Sequence, residues 1–333
     1  MTAFVGDGLF DLQVNGYAGV DFNDPAIDAA KLDIALEAMR EAGVTGCLPT
    51  IITAGPDELV ARFRALDAAV RESRLGPRMV PGYHLEGPFL NPADGYRGVH
   101  PPDAMADDPD VALIDRIESH LQRPVLLVTL APERTGAIAF AQALGERGKV
   151  TAIAHSAANF ADVRAAAGAG VSLSTHLGNG LPQSLPKLEN TLLAQLAEPR
   201  LTACVIADGH HMSPDALAAL VSLKGTGRTI LVTDAVLAAA APSGRYRFAG
   251  MDVERTAAGA VVPANGANLA GSALTMDAAV RNVVNWGIAD LPAAVAMAAG
   301  QARGALSKAL VHHGIKLDPG RIAWNDALEP TPA

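Results

Sequence analysis

The chain has 333 residues, of which half are hydrophobic and 18% are charged, so it can bury a large core and is not a disordered chain. Its formal net charge is −9 and it contains no run of Lys or Arg, which argues against a nucleic-acid or anionic-membrane surface as its main function. No apolar run approaches the roughly 20 residues that a membrane-spanning helix needs, and no basic-then-apolar leader precedes residue 8. Cys47 and Cys204 lie in apolar runs without metal-ligand spacing, which favours buried thiols in a reducing compartment. We therefore expect a soluble, cytoplasmic protein.

Apolar runs recur along the chain, and most are followed by a helical pattern. Residues 33–42 place Ile34, Ala35, Ala38, Met39 and Ala42 on one helical face, and Gly43 ends that helix. The repeated succession of strand and helix makes a (β/α)8 barrel the economical α/β architecture. The predicted strands are 8–15, 44–52, 80–86, 125–130, 150–154, 171–175, 201–207 and 229–233, and the predicted helices are 33–42, 57–71, 109–120, 135–147, 161–167, 214–223, 275–286 and 290–299.

The segment 150–180 is the most informative part of the chain. Two short apolar runs each end on a histidine, His155 and His176, and the Ala-rich stretch between them has no helix breaker before Gly168. A strand, a helix and a strand in this order form a βαβ unit, whose two strands are parallel neighbours. Both histidines are therefore expected at the carboxyl end of the barrel, where such folds carry their sites.

The domain organisation predicted from the sequence is one barrel followed by a tail. We expect residues 8–310 to form the barrel, with a hairpin insertion at 242–268, where the chain is polar and Gly-rich. Residues 311–333 form a C-terminal tail, and the stretch 314–330 is typical of a surface segment.

The barrel prediction brings several polar side chains to the carboxyl ends of the strands. A glutamate, two histidines and an aspartate on one rim suit a metal-assisted hydrolase, because imidazole and carboxylate ligands bind zinc and leave a position for water. A further carboxylate that does not bind the metal could carry the proton. The residues at or just past the strand ends are Gln13, Asn15, Glu86, His155, His176, Asp208, His210, His211 and Asp234.

Each of these residues also has a structural interpretation. A single histidine at a strand end is often a hydrogen-bonded structural residue, Glu86 could be a buried acid paired with an arginine, and Asp234 could cap a helix or form a turn. The spacing alone does not decide between a metal site and these structural roles, because no local HxxxH or HExxH motif is present.

A set of short motifs makes the prediction more specific. The motifs are HLEGPFLNP (84–92), GVHPP (98–102), TLAPE (129–133), AHS (154–156), THLGNG (175–180), IADGHH (206–211), LVTDAV (231–236) and LAGSALTM (269–276). On these motifs the chain resembles the N-acetylglucosamine-6-phosphate deacetylases of the amidohydrolase superfamily, in register from about residue 11 to residue 282. That resemblance implies the (β/α)8 fold of a metal-dependent hydrolase.

The resemblance implies roles for individual residues. Glu86, His155 and His176 are implied ligands of one divalent metal ion, Zn²⁺ by preference, with Fe²⁺ or another divalent metal as the alternative. Asp234 is the implied general base and acid, and His100 is implied to polarise the amide carbonyl. The first strand reads Asp11-Leu12-Gln13 in place of a His-x-His pair, which resembles the single-metal members. The implied substrate-binding residues are Gln13, Val99, His100, Asn179, Gly180, Lys187, His211, Leu269, Ala270 and Gly271, and the family implies a homodimer.

The chain departs from the family pattern in three places. Only about seven residues precede the first barrel strand where members have some fifty, so the small β domain is expected to be absent or reduced to a vestige in the tail. The sequence after His176 reads Leu-Gly-Asn-Gly, which removes an aromatic side chain. Lys187 stands in register with an arginine that crosses to a partner subunit, and it keeps the charge without bidentate phosphate recognition.

The sequence therefore predicts hydrolysis of the N-acetyl group of an amino sugar phosphate, N-acetylglucosamine 6-phosphate first. The nearest alternative is another N-acyl sugar, such as N-acetylgalactosamine 6-phosphate or an unphosphorylated sugar. A non-catalytic barrel scaffold and a phosphotriesterase-like or cyclic-amide hydrolase are further alternatives. No nucleic-acid or membrane partner is expected.

Overall fold

A computed structural model describes residues 4–105, 108–264, 266 and 268–333. Its β-strands form one large parallel sheet and three small antiparallel sheets. The strands are β1 (Phe4–Asp7), β2 (Leu9–Val14), β3 (Gly16–Tyr17), β4 (Val20–Asp21), β5 (Val44–Ile52), β6 (Tyr83–Glu86), β7 (Val125–Leu130), β8 (Val150–Ile153), β9 (Leu173–Ser174), β10 (Thr202–Val205), β11 (Thr229–Leu231), β12 (Gly244–Phe248), β13 (Met251–Arg255), β14 (Val261–Pro263), β15 (Arg321–Trp324) and β16 (Pro330–Pro332).

The large sheet closes into the predicted (β/α)8 barrel. Its strands lie in the order β2-β5-β6-β7-β8-β9-β10-β11, and every pair is parallel. The residues after β11 return to β2, because Asp234 N donates to Gln13 O at 2.9 Å and Asn15 N donates to Ala235 O at 2.6 Å. The strands β2, β6, β7 and β8 are buried at every position, as expected of strands covered on both faces. This confirms the fold class predicted from the strand–helix alternation.

Helices cover the outside of the barrel, and side-chain caps define several of their starts. Asn159 accepts from the backbone N–H of Asp162, whose own carboxylate accepts from the N–H of Asn159, and Ser213 accepts from the N–H of Ala216. The helices are α1 (Ala29–Glu41), α2 (Pro56–Glu72), α3 (Gly76–Met79), α4 (Val111–Glu118), α5 (Ala137–Glu146), α6 (Phe160–Gly168), α7 (Thr191–Ala197), α8 (Pro214–Lys224), α9 (Met276–Asn285), α10 (Leu291–Ala298), α11 (Gly300–Ala305) and α12 (Ser307–His312).

Several helix predictions need correction, and two of them involve a capping residue. The first helix begins one turn earlier than predicted, because Asp28 caps it by accepting from Lys31 N, and its buried face is therefore Leu32, Ala35, Leu36 and Met39. Ile34, which the sequence placed on the inner face, is 58% exposed. The short helix α7 was not predicted, although Asn190 caps it through the backbone N–H of Leu193.

The segment after β11 carries the antiparallel sheet β12-β13-β14, within the predicted insertion at 242–268; residues 265 and 267 of that insertion lie outside the described residues. The pairing of Phe248 with Met251 leaves a two-residue turn, Ala249–Gly250, in which both residues have positive φ. A second, smaller apolar cluster joins this sheet to the barrel. Its buried members are Ile52, Val236, Leu237, Ala238, Phe248, Val253, Val261 and Ala270.

The two ends of the chain meet in the sheet β1-β15-β16. The prediction of a surface segment is wrong for part of the tail, because Trp324 is 1% exposed and Ile322 is 4% exposed in the main core. Strand pairing with β1 turns these side chains of β15 inward. Among the described residues, none of the helices is both long and apolar enough to cross a membrane.

Candidate metal centre and active site

Three strands bring Glu86, His155 and His176 together. Glu86 is the last residue of β6, and the two histidines follow β8 and β9. One ligand atom from each of the three lies within 4.8 Å of the other two, and all three residues are buried. Nε2 of His176 is 2.9 Å and Nε2 of His155 is 3.7 Å from Oε1 of Glu86. One carboxylate and two imidazoles facing a common point are a donor set that fits a divalent cation such as zinc.

The electrostatics of this cluster favour positive charge. Burial alone would favour the neutral form of Glu86, but the neighbouring imidazoles of His155 and His176 hold the pKa of Glu86 well below its ordinary value. Burial likewise opposes charge on His176, but the hydrogen bond to Glu86 raises the pKa of His176 above its ordinary value. A bound cation would supply the positive charge that the carboxylate stabilises.

The orientation of His155 suits a metal ligand. Its Nδ1 lies 2.6 Å from the backbone oxygen of Tyr96, so Nδ1–H donates to that carbonyl and the Nε2 lone pair faces Glu86. Glycines make room for the ring: a Cβ atom at Gly180 would lie 2.4 Å from Nδ1, and one at Gly98 would lie 3.1 Å from Cε1. Both glycines therefore serve the placement of His155.

The backbone at the strand ends is unusual at the same residues. His155, His176 and Asp234 have φ values of 49°, 31° and 49°, in the left-handed region that non-glycine residues seldom adopt. Such conformations cost on the order of 1–3 kcal/mol each and concentrate at functional sites. The strain turns three side chains at strand ends toward one cavity.

Asp234 stands beside the cluster and is held at one oxygen. Nδ2 of Asn15 donates to its Oδ1 at 2.7 Å, and Nε2 of Gln13 donates to the same oxygen at 3.0 Å. Nε2 of Gln13 also lies 3.0 Å from Oε2 of Glu86 and so connects Asp234 to the cluster. Burial, and then the negative charge of Glu86, raise the pKa of Asp234 to about 6.

His100 packs against the cluster without joining it. Its ring centroid lies 4.6 Å from that of His155, and its Nδ1 lies 2.8 Å from the hydroxyl of Thr53. Burial, with the nearby His155, lowers the pKa of His100 to about 3, so the ring is neutral at physiological pH.

Comparison with known proteins identifies the family. No protein-family model matches the chain. The chain is 37% identical over 276 residues to the N-acetylgalactosamine-6-phosphate deacetylase of Escherichia coli O157:H7, covering 82% of this chain and 70% of that protein. It is 33% identical over 289 residues to the N-acetylglucosamine-6-phosphate deacetylase of Danio rerio, covering 84% and 69%. The chain belongs to the N-acetylglucosamine-6-phosphate deacetylase family.

Solved structures of this deacetylase family agree with the barrel. The structure of N-acetyl-D-glucosamine-6-phosphate deacetylase from Mycobacterium smegmatis, a mutant in complex with N-acetyl-D-glucosamine-6-phosphate, has a TM-score of 0.87 at 29% identity and covers 99% of this chain and 84% of that one. The enzyme from Pasteurella multocida has a TM-score of 0.84 at 25% identity, covering 98% and 84%. The resemblance read from the motifs is therefore confirmed, and with it the membership of a family of hydrolases.

A cavity of about 770 Å³ opens beside the cluster in this deacetylase fold. Lys187 is exposed and Ala270 is buried, and neither lines the cavity; Gln13 lies below it, between Glu86 and Asp234. Of the residues singled out in the sequence, those lining the cavity are Asn15, Val99, His100, His155, His176, Asn179, Gly180, His210, His211, Asp234, Leu269 and Gly271.

His211 is fixed at the cavity wall by Asp208. Nδ1 of His211 lies 2.7 Å from Oδ2 of Asp208, whose Oδ1 accepts from the backbone N–H groups of His210 and His211. Burial works against the charge of Asp208, but its hydrogen bond with His211 lowers its pKa below the ordinary value. Asp208 therefore positions His211 rather than facing the cavity itself.

The apolar residues of the cavity wall that sequence reasoning missed include Ile52 and Phe248. Ile52 ends β5, and its place at a strand end could have identified it. Phe248 reaches the cavity only because the sheet β12-β13-β14 folds back onto the barrel, and nothing in its local sequence marks it.

Proposed function

We propose that the chain is a metal-dependent deacetylase that hydrolyses the N-acetyl group of an amino sugar 6-phosphate, N-acetylglucosamine 6-phosphate first. The products would be acetate and glucosamine 6-phosphate. The observation that carries the proposal is the convergence of Glu86, His155 and His176 beside an Asp234 carboxylate whose hydrogen bonds from the described residues go to one oxygen, Oδ1. The relatives named above support the choice of substrate class.

Glu86, His155 and His176 would hold the cation, with Zn²⁺ preferred because mixed imidazole and carboxylate donors suit it. When bound, such a cation polarises the amide carbonyl and lowers the pKa of a water molecule toward neutrality. The remaining steps, proton transfer and substrate binding, are carried out by side chains of the protein.

Asp234 would move the proton. Its two hydrogen bonds within the described chain both go to Oδ1, which leaves Oδ2 to accept a proton from the attacking water. The water oxygen bonds to the carbonyl carbon, the C–N bond breaks, and Asp234 returns the proton to the departing amine nitrogen. A pKa of about 6 suits a group that must accept and release a proton near neutral pH.

His100 would donate a hydrogen bond to the amide oxygen. The Thr53 hydroxyl donates to the backbone oxygen of Glu86 at 3.2 Å and lies 2.8 Å from Nδ1 of His100. The proposed role requires the neutral tautomer with its proton on Nε2, in which the Thr53 hydroxyl turns to donate to Nδ1 of His100 instead. A neutral imidazole with a low pKa acts as an electrophile without giving up its proton entirely.

The sugar and its phosphate would lie on the side of the cavity formed by the loops after β9 and β10. Asn179, Gly180 and His211 line that side, and Asn179 is held by its Nδ2, which donates to His176 O at 3.1 Å. Lys187 would add positive charge from the exposed loop nearby. A homodimer and a cytoplasmic location remain predictions.

The second candidate substrate is N-acetylgalactosamine 6-phosphate, because a relative with 37% identity acts on it by name. The test is acetate release by metal-reconstituted protein from both 6-phosphates and from both unphosphorylated sugars. We expect kcat/KM to fall roughly 10- to 100-fold without the phosphate, the effect of losing a charged hydrogen-bonded contact. The ratio between the two epimers decides which 6-phosphate is the substrate.

The matched control is Asp234→Asn, which keeps the shape and removes the proton acceptor. We expect turnover to fall roughly 10²- to 10⁴-fold while bound metal is unchanged. Acetate release from none of the four sugars by the wild-type protein would refute the proposal.

A further inference from the structure

The cavity beside the metal cluster is lined by several segments of the chain. The loops after β9 and β10 contribute polar residues such as Asn179, Gln183 and His211. Ile52, Val99 and Phe248, from other segments, line the same cavity, and we call these three residues the acyl corner. His155 and His176 of the metal cluster line it as well.

The acyl corner adjoins the groups that would face the amide carbonyl. Ile52 is paired in register with Glu86 across β5 and β6. The residue after Ile52 is Thr53, whose hydroxyl contacts His100, and the residue before His100 is Val99. Ile52 and Val99 therefore flank His100 from two different segments of the chain.

Phe248 completes the corner from a third segment. It belongs to the apolar cluster that contains Ile52, and Val99 packs against that cluster. Its strand ends in the turn Ala249–Gly250, and the backbone N–H of Ala249 donates to Oδ2 of Asp21 at 2.7 Å. Ile52 is 4% exposed and Phe248 is 2% exposed, so both side chains are fixed by packing.

We propose that the acyl corner binds the methyl group of the N-acetyl substituent and limits the size of the acyl group that the site accepts. The inference rests on the proposed function. The carbonyl carbon of an amide carries the oxygen, the nitrogen and the acyl chain in one plane. With the oxygen at the metal cluster and His100, and the nitrogen leading to a sugar held by the loops after β9 and β10, the acyl chain would extend toward Ile52, Val99 and Phe248.

The test compares kcat/KM for the N-acetyl and N-propionyl forms of the same amino sugar 6-phosphate. One additional methylene in a close-fitting apolar pocket changes a rate by roughly 10- to 200-fold. We expect the wild-type protein to favour the acetyl form by at least the lower figure. Phe248→Ala should raise the propionyl-to-acetyl ratio roughly tenfold, and Ile52→Val should raise it severalfold, because each enlarges the corner.

Leu185→Ala is the matched control, because Leu185 is an apolar residue of the cavity wall in the loop after β9. It should leave the ratio unchanged, whatever it does to the absolute rates. Thermal unfolding and metal content would show whether Phe248→Ala weakens the fold. In that case the propionyl-to-acetyl ratio of Ile52→Val alone tests the proposal.

The outcomes separate the two proposals. A wild-type protein that releases acetate, with a ratio that neither Phe248→Ala nor Ile52→Val raises, would overturn the acyl corner alone. A wild-type protein that binds metal but releases no acylate from either substrate would overturn both. A ratio that rises equally in Leu185→Ala would show that the selectivity does not reside in the acyl corner.

Discussion

Two groups of buried polar side chains lie one above the other inside the barrel and differ in how their hydrogen bonds are satisfied. The open cluster consists of Glu86, His155, His176 and Asp234, at the carboxyl ends of the strands. The closed layer lies within or just past the strands and consists of Asp11, Thr50, His84, Thr129, Thr175 and Thr233, which are all buried.

The closed layer satisfies its own histidine. Nδ1 of His84 lies 3.2 Å from the hydroxyl of Thr50, and Nε2 lies 2.8 Å from the hydroxyl of Thr129, which is 2.9 Å from that of Thr175. Burial lowers the pKa of His84 to about 4, so this ring is a neutral structural group.

The open cluster is left partly unsatisfied. Among the described residues, Nδ1 of His176, Oε1 of Gln13 and Oδ1 of Asn15 are buried without a hydrogen-bond partner, and all three residues belong to the cluster or hold it. His84 and Glu86 are only two positions apart on β6 and face the same interior, because side chains alternate along a strand. A buried histidine or carboxylate inside the barrel therefore does not indicate function by itself. Function is indicated when such a group lacks hydrogen-bond partners and lies beside a cavity.

The largest effect is expected in the open cluster from Glu86→Gln. The substitution keeps the shape but removes the charge that holds the cation, so the variant should retain no divalent metal after dialysis and no deacetylase activity. Metal content by mass spectrometry measures this directly. Glu198→Gln is the control, because Glu198 pairs with Arg200 at the end of α7 and should keep both properties. Full metal content in Glu86→Gln would show that the three residues do not form the site.

An intermediate effect is expected in the closed layer from Thr129→Val. The change preserves volume but leaves Nε2 of His84 and the hydroxyl of Thr175 without their partner, which should lower the free energy of unfolding by about 1–3 kcal/mol. Urea unfolding measures the loss, and metal content should not change. A variant that loses its metal but not its stability would break the distinction between the two groups.

The last expected effect, from Asp11→Asn, depends on pH. Burial raises the pKa of Asp11 to about 7, whereas the unfolded chain releases this proton near pH 4. Between these values the unfolded state binds fewer protons, so the free energy of unfolding of the wild-type protein falls as pH rises, by up to about 1.4 kcal/mol per pH unit.

Asparagine mimics the protonated acid at this position. Its oxygen can accept from the backbone N–H groups of Gln13 and Thr233, and its amide can donate to the Thr233 hydroxyl. The variant should therefore be more stable relative to the wild type at pH 7 than at pH 4, as followed by urea unfolding at several pH values. Parallel pH profiles for the two proteins would indicate that Asp11 is already ionised in the folded state.

Much of the barrel could be predicted from the sequence because its strands are continuous apolar runs and its helices have local start and stop signals. The exceptions follow the same logic. The helix α7 is short, and its hydrophobic pattern is weak. The buried face of α1 differs from the predicted one because Asp28 caps the helix a turn earlier. Trp324 is buried because β15 pairs with β1. Pairings between distant segments leave no local trace in a sequence.

The sequence by itself determined the order of strands and helices and the polar residues that end the strands, since both depend on neighbouring residues along the chain. Only the tertiary structure decided which of those residues share a cavity, which oxygen of Asp234 accepts from Gln13 and Asn15, and that Phe248 joins Ile52 beside His100. Those facts depend on barrel closure and on the return of the β12-β13-β14 sheet, which bring together residues more than a hundred positions apart. The physical reason is that hydrogen bonds and packing act over a few ångströms in space, whatever the separation along the chain.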